Sequence, residues 1–376
     1  MQETKVCSRC VLDSTVKDNV FDSNGVCKYC HIHDELEKIH PISEKQVETI
    51  IHKIKDVGRD RKYDCVCGLS GGRDSSYTLL KAVEYGLRPL VVSVDNGWGT
   101  PIANANIRNA CEILGITPIT IKFDWNEYQD LQRSFFIAGV PDVDSPTDLA
   151  IYAALHKAAK QYNIKYILNG HSFRTEGSSP ISWSYFDPIY IKDVQDKFGT
   201  IRYNKIRSIP TITYWDLILD TFIHKIREIR ILEFIDYRKE LVDQELKDKL
   251  NWQDYGGHHQ ENKFTHFIQS YYLPIKFKID KRKTELSAQI RSGYITKEQA
   301  LETVGKSHPF DSGIVSEVIE RLGFSTSEFQ NIMQGTNHSH KEFKTLLSVY
   351  RLFRFPIHIV TKMKLLPRIL YLKYCQ

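Results

Sequence analysis

Residues 63–85 read Y-D-C-V-C-G-L-S-G-G-R-D-S-S-Y-T-L-L-K-A-V-E-Y, and no other stretch constrains the fold as strongly. The apolar run Cys65–Leu69 has strand character and breaks at Ser70-Gly71-Gly72. From Asp74 or Ser75 onward the pattern turns helical, with Leu79, Leu80 and Val83 on one side. A strand that ends in two glycines and opens a helix forms a phosphate cradle. The glycines let the backbone approach the oxygens, and the helix N-terminus supplies free N–H groups and partial positive charge. Ser70, Ser75 and Ser76 add hydroxyls. The kinase and GTPase P-loop, G-x-x-x-x-G-K-[ST], is excluded, because no lysine stands where it requires one.

Downstream, strand and helix patterns alternate. Pro89–Val94 reads as a buried parallel strand ending at Asp95-Asn96-Gly97-Trp98. Residues 102–114 read as a helix closed by Gly115, and Thr117–Phe123 as a third strand. Helical patterns follow at about 126–138 and 147–162. Lys165–Leu168 is a fourth strand, ending at Asn169-Gly170-His171-Ser172. This alternation predicts an α/β fold with a doubly wound parallel sheet. Ligands in such sheets sit at the carboxyl ends of the strands, where three polar clusters fall: Ser70–Ser76, Asp95–Trp98 and Asn169–Ser172. Asp95 is placed to hold a ribose or an adenine edge, and His171 to make a polar contact.

Ahead of this core stand Cys7-Ser8-Arg9-Cys10 and Cys27-Lys28-Tyr29-Cys30, with 16 residues between the pairs. That spacing is that of zinc ribbons. Four thiolates make a closed tetrahedral site, so the expected metal is structural zinc held by Cys7, Cys10, Cys27 and Cys30. Residues 42–60 read as a charged helix. After the core, 173–210 read as loop-rich, 212–230 as an amphipathic helix, 231–235 as a strand and 239–250 as a helix. Trp252–Thr265 concentrates glycines and titratable groups and reads as substrate-facing. Asp280-Lys281-Arg282-Lys283 is a cationic cluster suited to phosphate or carboxylate. Short helices with polar caps fill 284–335. The expected units are 1–40 (zinc module), 41–210 (α/β domain carrying the phosphate loop), 211–335 (mostly helical substrate region) and 336–376 (basic, apolar tail).

Charge separates the ends of the chain. The net is +5 over 376 residues, yet residues 341–376 hold eight Lys or Arg and one acid, a net of +7 that leaves −2 elsewhere. A near-neutral body argues against a nucleic-acid partner. The tail, Leu346–Tyr374, alternates apolar and basic residues, broken at Pro356 and Pro367. It suits an anionic membrane surface, a partner protein, or packing on the body. No transmembrane run and no signal-peptide core are apparent, so the expected setting is the cytoplasm.

The S-G-G-x-D-S-S loop resembles the pyrophosphate loop of the ATP pyrophosphatase superfamily. Taken together, the four-cysteine module, S-G-G-R-D-S-S, V-D-N-G-W and Y-G-G-x-H-x-E followed by D-K-R-K resemble the N-acetyl sugar amidotransferases of the WbpG and PseA type, from Cys7 to about residue 305. These act in bacterial lipopolysaccharide O-antigen and pseudaminic acid pathways. The core also looks like the synthetase half of asparagine synthetase. The resemblance implies that ATP, with Mg2+, adenylates the carbonyl oxygen of an acetamido group on an N-acetyl sugar, nucleotide-linked (UDP) or acidic. Ammonia then displaces AMP to leave an acetamidino group. It assigns pyrophosphate and ATP to Ser70, Gly71, Gly72, Asp74, Ser75, Ser76, Asp95, Asn169 and Gly170, and metal or loop positioning to Asp74. His259 and Glu261 would orient the amide or take the ammonia proton, and Gly256, Gly257, Lys281 and Arg282 would meet the substrate. His258 stands where the family usually has a lysine. Cys65 and Cys67 lie inside a strand, Cys111 lies on a helix and Cys7 is committed to zinc. No cysteine suits a glutaminase nucleophile, so ammonia is expected from a separate glutaminase. In this family those partners resemble the two subunits of imidazole glycerol phosphate synthase. Two other classes compete: a tRNA-modifying enzyme sharing the loop, and a zinc-based binding module with an inactive nucleotide fold.

Overall fold

The computed structural model describes residues 4–257, 260–307 and 310–375. Its centre is a five-stranded sheet of β1 (Cys65–Gly68), β2 (Pro89–Asp95), β3 (Ile119–Lys122), β4 (Tyr166–Leu168) and β5 (Arg227–Ile229), in the order β3-β2-β1-β4-β5. Every pairing is parallel, with Val66 opposite both Leu90 and Ile167. Eleven helices matter below: α1 (Lys28–Ile39), α2 (Glu44–Gly58), α3 (Arg73–Glu84), α4 (Pro101–Ile113), α5 (Trp125–Ile137), α6 (Ser145–Gln161), α7 (Pro188–Phe198), α8 (Tyr214–Phe222), α9 (Lys239–Leu250), α10 (Lys263–Phe267) and α11 (Arg282–Arg291).

Side chains alternate across the sheet and must be covered on both faces. Cys65 and Cys67 of β1 pack with Leu79 and Leu80 of α3, Ile54 of α2 and Leu246 of α9. Val66 points the other way, onto Leu155, Ala158 and Ala159 of α6. The doubly wound arrangement is therefore present. β1 lies between β2 and β4, so the crevice at its carboxyl end is the switch point where such sheets bind ligands. Local chemistry starts the flanking helices. Thr100 accepts from Ala103 N–H with Pro101 in the first turn of α4, and Asp124 accepts from Asn126 and Glu127 N–H at α5.

Three stretches differ from the sequence reading. The 173–210 segment is not all loop, because Asp187 caps α7 by accepting from Ile189 and Tyr190 N–H. The single helix expected over 212–230 stops at Phe222. The chain then turns through Lys225, at φ +56°, and Arg227 N–H bonds Lys165 C=O as β5 joins β4. The last strand is thus Arg227–Ile229, and Ile231–Phe234 is a short 3₁₀ turn. A brief apolar run reads the same in either state until its backbone partners are known.

The cysteine segment and the C-terminal helices share one large core. Leu12, Val16, Ile32 and Leu36 pack in the same cluster as Phe173, Leu347 and Leu372. Beyond α11 come α12 (Lys297–Gly305), α13 (Ser312–Arg321), α14 (Thr326–Gln334), α15 (Leu347–Leu352), α16 (Arg354–Lys362) and α17 (Arg368–Tyr374). Pro356 is tolerated because it stands in the first turn of α16, where no intrahelical N–H bond is lost.

Candidate active site and metal centre

The four N-terminal cysteines converge. Their sulfurs lie within 4.8 Å of one another and all four residues are fully buried. Cys7–Cys30, Cys10–Cys27 and Cys27–Cys30 are 3.8, 3.6 and 3.7 Å apart. A tetrahedron with Zn–S bonds of about 2.3 Å has edges near ~3.8 Å, so the cage fits zinc and leaves no position for water. N–H groups of Arg9 and Cys27 point at Cys7 Sγ (3.4 and 3.2 Å), and the buried Arg291 guanidinium reaches Cys10 Sγ at 3.5 Å. Such donors offset thiolate charge and orient the ligands. Lys297 Nζ bonds Cys7 C=O (2.7 Å) and Lys283 pairs with Asp13 (2.6 Å), so the centre clamps the N-terminal segment onto α11 and α12.

At the carboxyl end of β1 the loop is shaped by close backbone contacts. Gly71 has φ +79°, and a Cβ there would lie 2.1 Å from the Ala103 carbonyl oxygen on α4. Only glycine fits. Gly71 C=O accepts from Asn106 Nδ2 and Trp252 Nε1, both at 3.1 Å. Ser70 and Ser75 close the loop, with their hydroxyl oxygens 3.1 Å apart and Ser75 Oγ donating to Gly72 C=O at 3.1 Å. Helix α3 begins at Gly72 without a side-chain cap, which leaves its N-terminus available to an anion. From β4, Gly170 comes so close that a Cβ would meet Asp74 C=O at 2.8 Å. Asn169 Oδ1 accepts from His171 N–H (2.8 Å), and its amide donates to Glu228 (3.0 Å). The Ser70–Ser76 and Asn169–Ser172 clusters therefore adjoin.

The Trp252–Thr265 segment closes over this loop. Tyr255 Oη accepts from Arg73 N–H (3.1 Å), Gln253 N–H donates to Asn106 Oδ1 (2.8 Å), and a Cβ on Gly72 would touch Glu261 Oε1 at 2.9 Å. Glu261 C=O accepts from Thr100 N–H and Trp98 C=O from Lys263 N–H, tying the segment to the turn after β2. Asp95, the last residue of β2, is exposed and accepts from Gly97 N–H on that turn at 3.0 Å. His258 and His259 lie outside the described residues.

Two loop residues face away from an incoming phosphate. Ser76 is fully buried, one helical turn before Leu79 and Leu80, so its hydroxyl points into the core. Arg73 donates to Asp243 on α9. Burial opposes its charge, and the bond to Asp243 outweighs that and raises the guanidinium pKa. Asp74 accepts from the Tyr237 hydroxyl. Tyr237, Asn106 and Trp252 escaped sequence reading as loop supports. Trp252 and Tyr255 fall in the marked segment, whereas Tyr237 carries no local signal.

Beside the loop, reached past Gly256 and Gly257, a cavity of about 990 Å³ runs between the body and the tail. Its inner end holds His171, paired with Glu176 at 2.6 Å, together with Arg230, Lys281 and Lys373. Among the described residues no carboxylate lies within ion-pair distance of Lys281 or Lys373, and burial pushes the Lys373 ammonium down to about 8. Arg282, also on the wall, is engaged by Asp280 (2.7 Å) and the carbonyls of Thr303 and Lys306 (3.2 and 3.0 Å). The outer end is apolar, formed by Ile218 and Phe222 of α8 with Val349 and Phe353 of the tail.

Among solved structures, the chain is similar in fold to NMN synthetase from Francisella tularensis. The identity is 15%, over 76% of this chain and 96% of that one, with a TM-score of 0.33. It is also similar to the NH3-dependent NAD synthetase from Campylobacter jejuni in complex with nitrate, at 15% identity over 55% and 93%, with a TM-score of 0.27. At these scores neither likeness bears on what the chain does. No curated protein matches it. Residues 261–355 match the family model described as LPS biosynthesis protein WbpG-like, C-terminal domain. That segment begins at Glu261, beside the glycine loop, and runs through the helices that hold the cysteine centre to the mouth of the cavity. Over that segment the chain is similar to the C-terminal domain of WbpG-like proteins, and its glycine loop lies at the switch point of a parallel sheet.

Proposed function

We propose that the protein is an ATP-dependent, AMP-forming amidotransferase that converts the acetamido group of an N-acetyl sugar into an acetamidino group, using ammonia from a partner glutaminase, in lipopolysaccharide O-antigen biosynthesis. The observation that carries this reading is the approach of Tyr255 and Glu261 to the start of α3, where the Tyr255 hydroxyl takes the Arg73 N–H and Gly72 supplies no side-chain cap. It brings a carboxylate, Glu261, to a loop shaped for phosphates. Asp74 and Glu261 are the oxygen donors there that would hold Mg2+, a hard cation. When bound, the ion offsets charge on the phosphates.

In this reading the N–H groups of the α3 N-terminus and the Ser70 and Ser75 hydroxyls hold the departing pyrophosphate. The acetamido carbonyl oxygen attacks the α-phosphorus and pyrophosphate leaves. Ammonia then adds at the former carbonyl carbon and AMP departs, so C=O becomes C=NH and one proton is released. Glu261 is the residue assigned to take that proton. The cysteines do not suit glutamine hydrolysis, since all eight are buried. The Cys67 contact and burial push the Cys65 thiol up, and burial does the same to Cys111, which lowers the thiolate fraction a nucleophile needs. This supports an external source of ammonia.

The test is turnover of ATP, ammonium and N-acetyl sugars, UDP-linked and free. The expected products are AMP, pyrophosphate and a sugar lighter by the difference between O and NH. Release of ADP and phosphate would refute the reading.

A further inference from the structure

The tail and α8 leave an uncovered apolar face. On α8, Trp215, Leu219, Phe222 and Ile223 form one stripe at helical spacing, and Trp215 and Ile223 are 74% and 67% exposed. In the tail, Leu352 ends α15, Phe355 and Ile359 lie one turn apart on α16, and Met363 follows that helix, with Leu352, Phe355 and Met363 at 78%, 71% and 63%. These elements are neighbours. Tyr214 and Tyr350 rings lie 6.0 Å apart, and Ile218, Phe222, Val349 and Phe353 line the same cavity mouth. Single exposed apolar residues are ordinary, but a continuous face of large ones marks a docking surface.

The charge around this face identifies its occupant. Arg351, Arg354, Lys362 and Lys364 are exposed on the same two short helices and their turn, with no carboxylate partner among the described residues. Residues 341–376 carry +7 while the rest of the chain carries −2. Protein interfaces are depleted in lysine at their centres. Apolar side chains rimmed by lysine and arginine are the pattern of helices that lie in the headgroup region of anionic bilayers. Among the described residues no helix is long and apolar enough to cross a membrane, so the contact is peripheral.

We propose that α8, α15 and α16 dock on an anionic phospholipid surface and set the mouth of the cavity against the bilayer. The proposal does not depend on the reaction assigned above, and binding alone tests it. The full chain is mixed with phosphatidylcholine vesicles, with and without phosphatidylglycerol, and the bound fraction is read by sedimentation. Binding is expected only with the anionic lipid and weakens as salt rises. Trp98, Trp183 and Trp252 are buried and Trp125 is half-buried against Trp98 and Arg321, so acyl-brominated lipid should quench chiefly Trp215, and Trp215→Phe should remove most of the quenching. Each surface cation contributes about fivefold to anionic-membrane binding, so R354E/K362E should weaken it about 25-fold or more, with an unchanged melting curve. The proposal is overturned by absence of anionic-vesicle binding, by equal binding to neutral vesicles, or by charge reversal without effect. A stable dimer or protein complex that buries Trp215 and leaves vesicles unbound would also overturn it.

Discussion

Gly71→Ala tests whether the loop is held by its approach to α4. At φ +79°, alanine costs about 1–2 kcal/mol in backbone strain. Its Cβ would stand 2.1 Å from the Ala103 carbonyl oxygen, a backbone atom that cannot rotate away. Relief needs a shift of roughly 1 Å, and this breaks the bonds that Asn106 and Trp252 make to Gly71 C=O, worth about 1 kcal/mol each. The expected loss is therefore about 3–4 kcal/mol, a large share of a typical stability of about 5–15 kcal/mol. Urea unfolding followed by tryptophan fluorescence should show a lower midpoint at unchanged slope. Gly72→Ala is the matched control. Its φ of −73° suits any residue, and its Cβ would meet side-chain ends only, Glu261 Oε1 at 2.9 Å and Ser70 Oγ at 3.2 Å. That variant should lose less than about 1 kcal/mol, yet lower kcat/KM about 10- to 100-fold if Glu261 serves the reaction. Gly71→Ala within 1 kcal/mol of wild type would refute the packing argument.

Other outcomes follow from the same structure. Metal analysis should find one zinc per chain, and Cys27→Ser should lose it and loosen the contacts of α1 with α11, because the binding energy of a structural zinc is folding energy. Asp74→Asn should cut ATP turnover by about 100-fold or more while circular dichroism stays unchanged; retained turnover would remove Asp74 from the site. Burial holds His40 and His340 down at about 4. The unfolded chain therefore binds more protons below about pH 6.5, and stability should fall as pH drops from there to about 4, by up to ~3 kcal/mol per histidine. A melting temperature flat across that window would contradict their burial. Ammonium should support turnover better as pH rises, and glutamine should support it only with the partner glutaminase present; glutamine hydrolysis by this chain alone would refute the division of labour.

The sequence alone was enough for whatever depends on neighbours within a few residues. An apolar run that stops at two glycines and restarts as a helix is a local pattern, and it placed β1, the loop and α3 to within a residue or two. Paired C-x-x-C spacing likewise picked out four cysteines whose sulfurs the fold brings within 4.8 Å, because the spacing that suits one metal restricts the partners. Strand–helix alternation was legible for the same reason, since each unit must bury its own apolar side. What only the tertiary structure decided are relations between distant residues. β5 is three half-buried residues, Arg-Glu-Ile, defined only by pairing with β4. Tyr255 and Trp252 reach the loop from more than 180 positions away, and Tyr237 reaches Asp74 from 163. Ser76 belongs to the loop motif, yet helix phase turns it into the core. The tail shows its apolar and basic composition in the sequence. That its helices face α8 across a cavity, leaving one side uncovered, follows from long-range packing, which a single chain's local chemistry does not encode.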